Sequence, residues 1–144
     1  MIRSFFVWVL VAALVGGVFE PARAASPSAR VGHFTSHGAT LAYESYGSGP
    51  AVWVLLAGGP GYEPTYIRSA VPLIAAPNRT IILLHQRGTG MSRSAVSDAA
   101  MLDVAGEVAD LEALRVALRE PALRLVGHSW GGYLALAYAA RHPS

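Results

Sequence analysis

Cysteine is absent from all 144 residues. No disulfide framework and no lipid-modified cysteine anchor can therefore be built within these residues. Lysine is missing too: the 11 basic residues are all arginines, scattered singly, so no basic run for a nucleic acid or another polyanion is present. Charge as a whole is sparse, 14% of residues against 53% apolar, which excludes a disordered polyelectrolyte and favours a globular protein with a buried core. No internal repeat or low-complexity tract competes with that reading.

Much of the apolar excess sits at the start. Ile2 and Arg3 lead into an uncharged run of 16 residues, Ser4 to Phe19, followed by Glu20-Pro21 and Ala22-Arg23-Ala24. A positive lead, an apolar stretch and a small-x-small site describe a secretory signal peptide over residues 1–24, cleaved after Ala24. The alternative is an uncleaved anchor, although the run falls just short of the roughly 18–20 residues that span a bilayer. Without the signal, nine arginines face eight acids. The expected location is secreted or periplasmic, with no membrane contact beyond the signal segment.

After a short linker, Ser26 to Arg30, two alternating segments, Val31 to Ser36 and Thr40 to Tyr46, flank His37-Gly38-Ala39 and read as a β-hairpin. Three apolar runs then read as strands of a parallel sheet: Ala51 to Leu56, Thr80 to Leu84 and Leu123 to Val126. Helical segments separate them. The first, about Tyr66 to Ala75, is shortened or kinked by Pro72. The second, about Leu102 to Arg119, places Val104, Val108, Leu111 and Leu114 at spacings of three and four, with Glu107, Asp110, Glu112 and Arg115 between them, and is stopped by Pro121. A last helix follows Ser129 and ends at Arg141-His142-Pro143. A hairpin followed by strand-helix repeats is an α/β fold with a mostly parallel sheet, whose ligand sites lie beyond the carboxyl ends of the strands.

Each of those three ends carries a motif. The last strand runs into Gly127-His128-Ser129-Trp130-Gly131-Gly132, so a G-x-S-x-G pattern sits on a strand-to-helix turn. The pattern alone is common, and its location carries the inference. Gly127 and Gly131 allow a tight elbow on which Ser129 projects its hydroxyl as a nucleophile. The bland alternative is a serine that merely caps the helix. After the first strand comes Ala57-Gly58-Gly59-Pro60-Gly61, a turn that can present bare N–H groups to a developing oxyanion. Gly59 N–H and Trp130 N–H are the expected donors. A phosphate loop is disfavoured because no Gly-Lys-Ser/Thr follows. The remaining end, His85-Gln86-Arg87-Gly88-Thr89-Gly90, lies at the active-site floor, where Arg87 is expected to tie loops together through carbonyls.

Gly-Gly-Pro-Gly, Gln-Arg-Gly-x-Gly-x-Ser and Gly-His-Ser-Trp-Gly-Gly, in this order over Thr40 to Ser144, resemble the prolyl iminopeptidase branch of the α/β-hydrolases. The resemblance implies an N-terminal part of an α/β-hydrolase fold: linker and first strand over residues 25–39, a partial hydrolase domain over 40–144. It implies a serine hydrolase acting through an acyl-enzyme on an N-terminal peptide or amide bond, with a small peptide, amide or ester as substrate and no cofactor, metal or nucleic acid. An esterase or a catalytically inactive binding protein on the same fold are the alternatives. Epoxide hydrolases and dehalogenases are disfavoured because their elbow usually carries Asp. Two positions depart from the family: Ala57 stands where it usually has His, and His85 where it usually has Asp. The His85 ring is accordingly expected to fill the space left beside Ala57.

A serine nucleophile needs a histidine base oriented by an acid. No acid follows Ser129. His142 lies about 13 residues along a helix, roughly 20 Å away. His128 is expected to point to the opposite face from Ser129, His33 and His37 belong to the hairpin, and His85, the one histidine at the active-site face, precedes the serine where the base of this fold follows it. The acid, the base and any cap are therefore expected beyond Ser144, leaving the last strand on an open sheet edge and the 144-residue chain without substantial activity.

Overall fold

The computed structural model describes residues 28–95 and 102–143. The signal peptide expected over residues 1–24 lies outside the described residues. Among them, no helix is long and apolar enough to cross a membrane.

Strands β1 (Arg30–Ser36) and β2 (Ala39–Gly47) form the expected hairpin. Its turn is tighter than the sequence suggests: Ser36 pairs directly with Ala39, and only His37 and Gly38 connect the strands, both at positive φ (48° and 75°). Two successive left-handed residues match the twist of the flanking strands, which is why so short a loop closes here. Strands β3 (Ala51–Leu56), β4 (Arg79–Leu84) and β5 (Arg124–Gly127) complete a five-stranded sheet in the order β1-β2-β4-β3-β5. Strand β4 is parallel to β3 and antiparallel to β2, and β5 runs parallel to β3. Among the described residues β5 pairs only with β3, so it forms one edge of the sheet.

Period-two alternation sends successive side chains to opposite layers. On one face Val54, Leu56, Ile82 and Leu84 pack against helices α2 (Val104–Ala117) and α3 (Trp130–Arg141) through Leu111, Leu114, Leu134 and Tyr138. On the other, Tyr46, Leu55, Ile81 and Leu83 meet Ile67 and Val71. Ile67 belongs to a 3₁₀ segment, Pro64–Ala70, which passes into the single-turn helix α1 (Val71–Ile74). The short, broken element expected around Pro72 is thus 3₁₀ for most of its length.

Helix α2 starts where Asp103 accepts a hydrogen bond from Gly106 N–H, a cap that satisfies one of the orphan donors of the first turn. Its end departs from the sequence reading. Before Pro121 is reached, Arg119 turns left-handed (φ 57°), its N–H bonding Val116 O and the Glu120 N–H bonding Arg115 O. That is a Schellman motif, formed with arginine where glycine is usual. A second departure is Asp110, assigned by periodicity to the polar side of α2 but only 2% exposed.

Candidate active site

Strand β5 ends at Gly127 and α3 begins at Trp130, so Ser129 occupies the connection expected for it. Its backbone is held at φ 53°, ψ −115°, a conformation L-residues rarely adopt and that costs about 1–3 kcal/mol. The surroundings enforce it. A β-carbon on Gly127 would overlap the Gly131 carbonyl, and one on Gly131 would overlap Leu56 O, so strand and helix backbones meet where both side chains are missing. Gly132 N–H and Tyr133 N–H bond Ser129 O at 2.9 and 3.2 Å, fixing the residue by its backbone. Its side chain makes no capping hydrogen bond to α3 and stays exposed, which removes the reading of Ser129 as a simple helix cap.

Register brings the Gly-rich turn alongside. Leu56 pairs with Gly127, and His128 N–H bonds Leu56 O at 3.1 Å, so the chain leaves β3 and β5 side by side. Within the turn Gly59 has φ 129°, and a β-carbon there would lie 2.7 Å from Gly61 N and 2.8 Å from Tyr62 N. Only glycine fits. The Gly58 N–H donates to the Tyr66 hydroxyl at 2.6 Å, whereas the Gly59 N–H has no partner among the described residues. Trp130, as the first residue of α3, carries an N–H that the helix itself leaves unbonded.

Between turn and elbow lies a cleft of about 540 Å³, lined by Gly58, Gly59, Tyr62, Glu63, Tyr66, His128 and Ser129. Glu63 is its one charged lining residue. The sequence reading did not single out Tyr62, Glu63 or Tyr66. Their nearness in sequence to Gly61, with Pro64 redirecting the chain into the 3₁₀ segment, was the available signal. The place of His128 corrects an expectation: its ring shares the cleft with Ser129 and approaches the Tyr66 hydroxyl, Nδ1 to Oη 2.8 Å. Alternation fails here because β5 has already ended and Ser129 takes a positive φ.

The third strand end is structural throughout. His85 is 2% exposed, and both ring nitrogens are engaged: Nε2 lies 3.1 Å from Glu44 Oε1 and Nδ1 accepts from Met91 N–H at 3.1 Å. The ring thus turns to the β2 side of β4, whereas Ala57 follows β3 on the opposite side, so it does not fill the space beside Ala57. The imidazole that approaches the Gly-rich turn belongs to His128, 3.0 Å from the position a Gly58 β-carbon would take. Glu44 also accepts from Tyr46 and, at 3.0 and 2.5 Å, from Arg68. Burial alone would raise the Glu44 carboxyl, but the hydrogen bonds from Arg68, Tyr46 and His85 outweigh it and hold the group below its ordinary value. Burial, and then the Glu44 hydrogen bond, pushes the Tyr46 phenol up to about 12.

Arg87 ties loops together as expected. It donates to Ala95 O at 3.0 Å and Ser36 O at 3.3 Å, and it also grips both oxygens of Asp110 at 2.9 and 2.5 Å. Gln86 Nε2 and the Trp130 indole N–H both donate to Glu107 Oε2 at 3.2 Å. Burial raises the Glu107 carboxyl above its ordinary value, with Asp110 and Asp103 adding to the shift and the two hydrogen bonds opposing it.

The other histidines lie away from the cleft. The His142 ring stacks on Tyr138 with centroids 4.6 Å apart and faces Glu112 on α2, while His37 sits in the hairpin turn. Among the described residues no group of His, Asp and Glu is arranged to hold a metal ion.

Residues 52–144 match the family model described as alpha/beta hydrolase fold. The chain is 42% identical over 85 residues to the proline iminopeptidase of Lactiplantibacillus plantarum, an alignment covering 59% of this chain and 29% of that protein. Among solved structures it is similar to a proline iminopeptidase-related protein from Thermus thermophilus, with 28% identity and a TM-score of 0.70 over 81% of this chain and 41% of that one. An epoxide hydrolase from an endophytic Streptomyces superimposes comparably, with 28% identity and a TM-score of 0.67 over 80% of this chain and 34% of that one. The chain thus spans about three-tenths of the length of the curated relatives it matches. With an elbow serine, a Gly-rich turn beside it and a family model matching more than half of its residues, the chain belongs to the α/β-hydrolase fold family.

Proposed function

We propose that Ser129 is the nucleophile of an exported serine hydrolase that cleaves an N-terminal peptide or amide bond through an acyl-enzyme. The observation that carries the reading is the positive-φ backbone of an exposed Ser129 beside a glycine turn whose Gly59 N–H has no partner among the described residues. Strain of this kind persists where the surroundings over-determine it, and it lifts the hydroxyl off the helix that would otherwise use it.

In this reading the Ser129 hydroxyl attacks the substrate carbonyl, and the oxygen that gains charge is received by Gly59 N–H and Trp130 N–H. The α3 N-terminus behind Trp130 favours that negative charge. Loss of one such donor typically slows the reaction by about 10²–10³-fold. His85 has no free nitrogen to serve as general base. The base and its acid are assigned to parts of the fold that these residues do not cover, in keeping with relatives about twice as long as this chain. The 144-residue chain alone is then without substantial turnover, and residues 1–24 direct export.

The likeness to proline iminopeptidases favours an aminoacyl amide as substrate. An esterase is the nearest alternative. The likeness to an epoxide hydrolase extends to the fold, and a serine at the elbow speaks for acyl transfer.

The test is a fluorophosphonate probe on the complete polypeptide, followed by assays with aminoacyl-arylamides and a broad ester. Labelling is expected in the parent and absent from Ser129→Ala. Turnover by the 144-residue chain, or labelling that survives Ser129→Ala, would contradict the assignment. Mass analysis of exported protein should find Ala25 at its N-terminus.

A further inference from the structure

We propose that the Tyr66 hydroxyl is a positioning group for the reaction at Ser129, latching the Gly-rich turn to the elbow through His128. The proposal rests on the roles given above to Ser129 and Gly59. Three separate pieces of chain meet at this one oxygen: the turn after β3, the 3₁₀ segment and the elbow after β5. Gly58 N–H donates to Tyr66 Oη at 2.6 Å, and His128 Nδ1 lies 2.8 Å from the same oxygen across 62 residues of sequence. The two rings meet edge to face, with centroids 5.7 Å apart and planes at 70°.

One end of the latch has a fixed direction, and the proposal assigns the other. Gly58 N–H can only donate, so the Tyr66 oxygen accepts there and its own proton is free for His128 Nδ1, in the tautomer that carries the imidazole proton on Nε2. The arrangement fills the space that Gly58 leaves open. A β-carbon on Gly58 would stand 2.8 Å from Tyr66 Oη and 3.0 Å from His128 Nδ1.

The consequence concerns the next peptide. Two adjacent glycines have wide backbone freedom, and the direction of the Gly59 N–H depends on the torsions between them. By holding Gly58 N–H, Tyr66 takes one donor of the turn out of service and sets the orientation of the other. An oxyanion donor works because it is aimed before charge develops, so the latch acts on the rate of the chemical step and leaves ground-state binding unchanged.

The test uses the complete polypeptide and the rate of fluorophosphonate labelling, resolved into a binding constant and a maximal rate. Ser129→Ala is the control for the underlying reading: if it still labels, the nucleophile assignment fails, independently of the latch. With that control silent, Tyr66→Phe is expected to lower the maximal rate about 10- to 100-fold with the binding constant unchanged. His128→Asn keeps an acceptor near Nδ1 and should retain most of the rate. His128→Leu, at an exposed position that tolerates substitution, should fall as far as Tyr66→Phe, and the double variant Tyr66→Phe/His128→Leu no further. A parental maximal rate in Tyr66→Phe would overturn the proposal, as would a His128→Asn variant as slow as His128→Leu. Should Tyr66→Phe fail to fold, the two His128 variants decide between the same outcomes.

Discussion

Replacing Asp110 by alanine should cost the protein a large part of its stability. The Arg87 and Asp110 side chains are 0% and 3% exposed, and the guanidinium meets both carboxylate oxygens. Removing the carboxylate strands a guanidinium that cannot shed its proton, inside a layer bounded by β1, α2 and the loop after β4. A buried ion pair broken on one side costs about 3–5 kcal/mol. With a urea dependence of about 2 kcal/mol per molar for a domain of this kind, the unfolding midpoint should fall by about 2 M. The assay is equilibrium urea unfolding of the complete polypeptide, followed through tryptophan fluorescence. A companion variant, Arg87→Leu/Asp110→Leu, removes both charges and leaves the Ser36 and Ala95 carbonyls without the arginine. It should be less destabilised than Asp110→Ala, because an absent pair is cheaper than an orphaned charge. A loss below about 1 kcal/mol in Asp110→Ala, or a double variant less stable than the single one, would refute the reasoning.

Two carboxylates should give stability opposite pH dependences. The folded-state value of Glu44 is lowered from 4.5, so its contribution is present above that value and lost as pH falls through the depressed one; Glu44→Gln should flatten this acid limb. Glu107 is raised from 4.5, so the folded state binds the extra proton and stability declines as pH rises from 4.5 through the raised value; Glu107→Gln should remove that decline in the same titration of unfolding midpoints. Gly131→Ala places a β-carbon against the Leu56 carbonyl, a backbone atom of the interior strand β3 that cannot swing aside, and should abolish soluble expression or labelling at Ser129. Normal yield and labelling of that variant would show that the elbow is looser than described.

What the sequence made legible were features that depend on near neighbours along the chain. Apolar runs located β3, β4 and β5 to within a residue or two, and the glycine spacing around Ser129 located the elbow. Features set by tertiary geometry were not legible. Helical periodicity placed Asp110 on the polar side of α2 because it cannot register an arginine arriving from another strand end. The His85 ring was assigned to the wrong side of β4, since its partner Glu44 is 41 residues away. His128 was excluded by alternation, a rule that holds only while the backbone remains extended, and the chain leaves that state at Ser129. Tyr66 carried no motif at all; its importance comes from one oxygen reaching two segments that the sheet order brings together.

The sheet order also has a kinetic meaning. Leu56 and Gly127 are register partners, yet the intervening polypeptide holds β4, α1 and α2, so this pairing closes one of the longest loops in the fold. Contacts of such high sequence separation are the slow ones to form during folding, because the entropy of closure is lost before any packing compensates for it. Turn and elbow therefore meet only once β5 zips onto β3. A chain that has collapsed around its hairpin and β4 but not yet docked β5 has not brought the Gly-rich turn beside Ser129, which ties the assembly of that cleft to one of the latest pairings of the sheet.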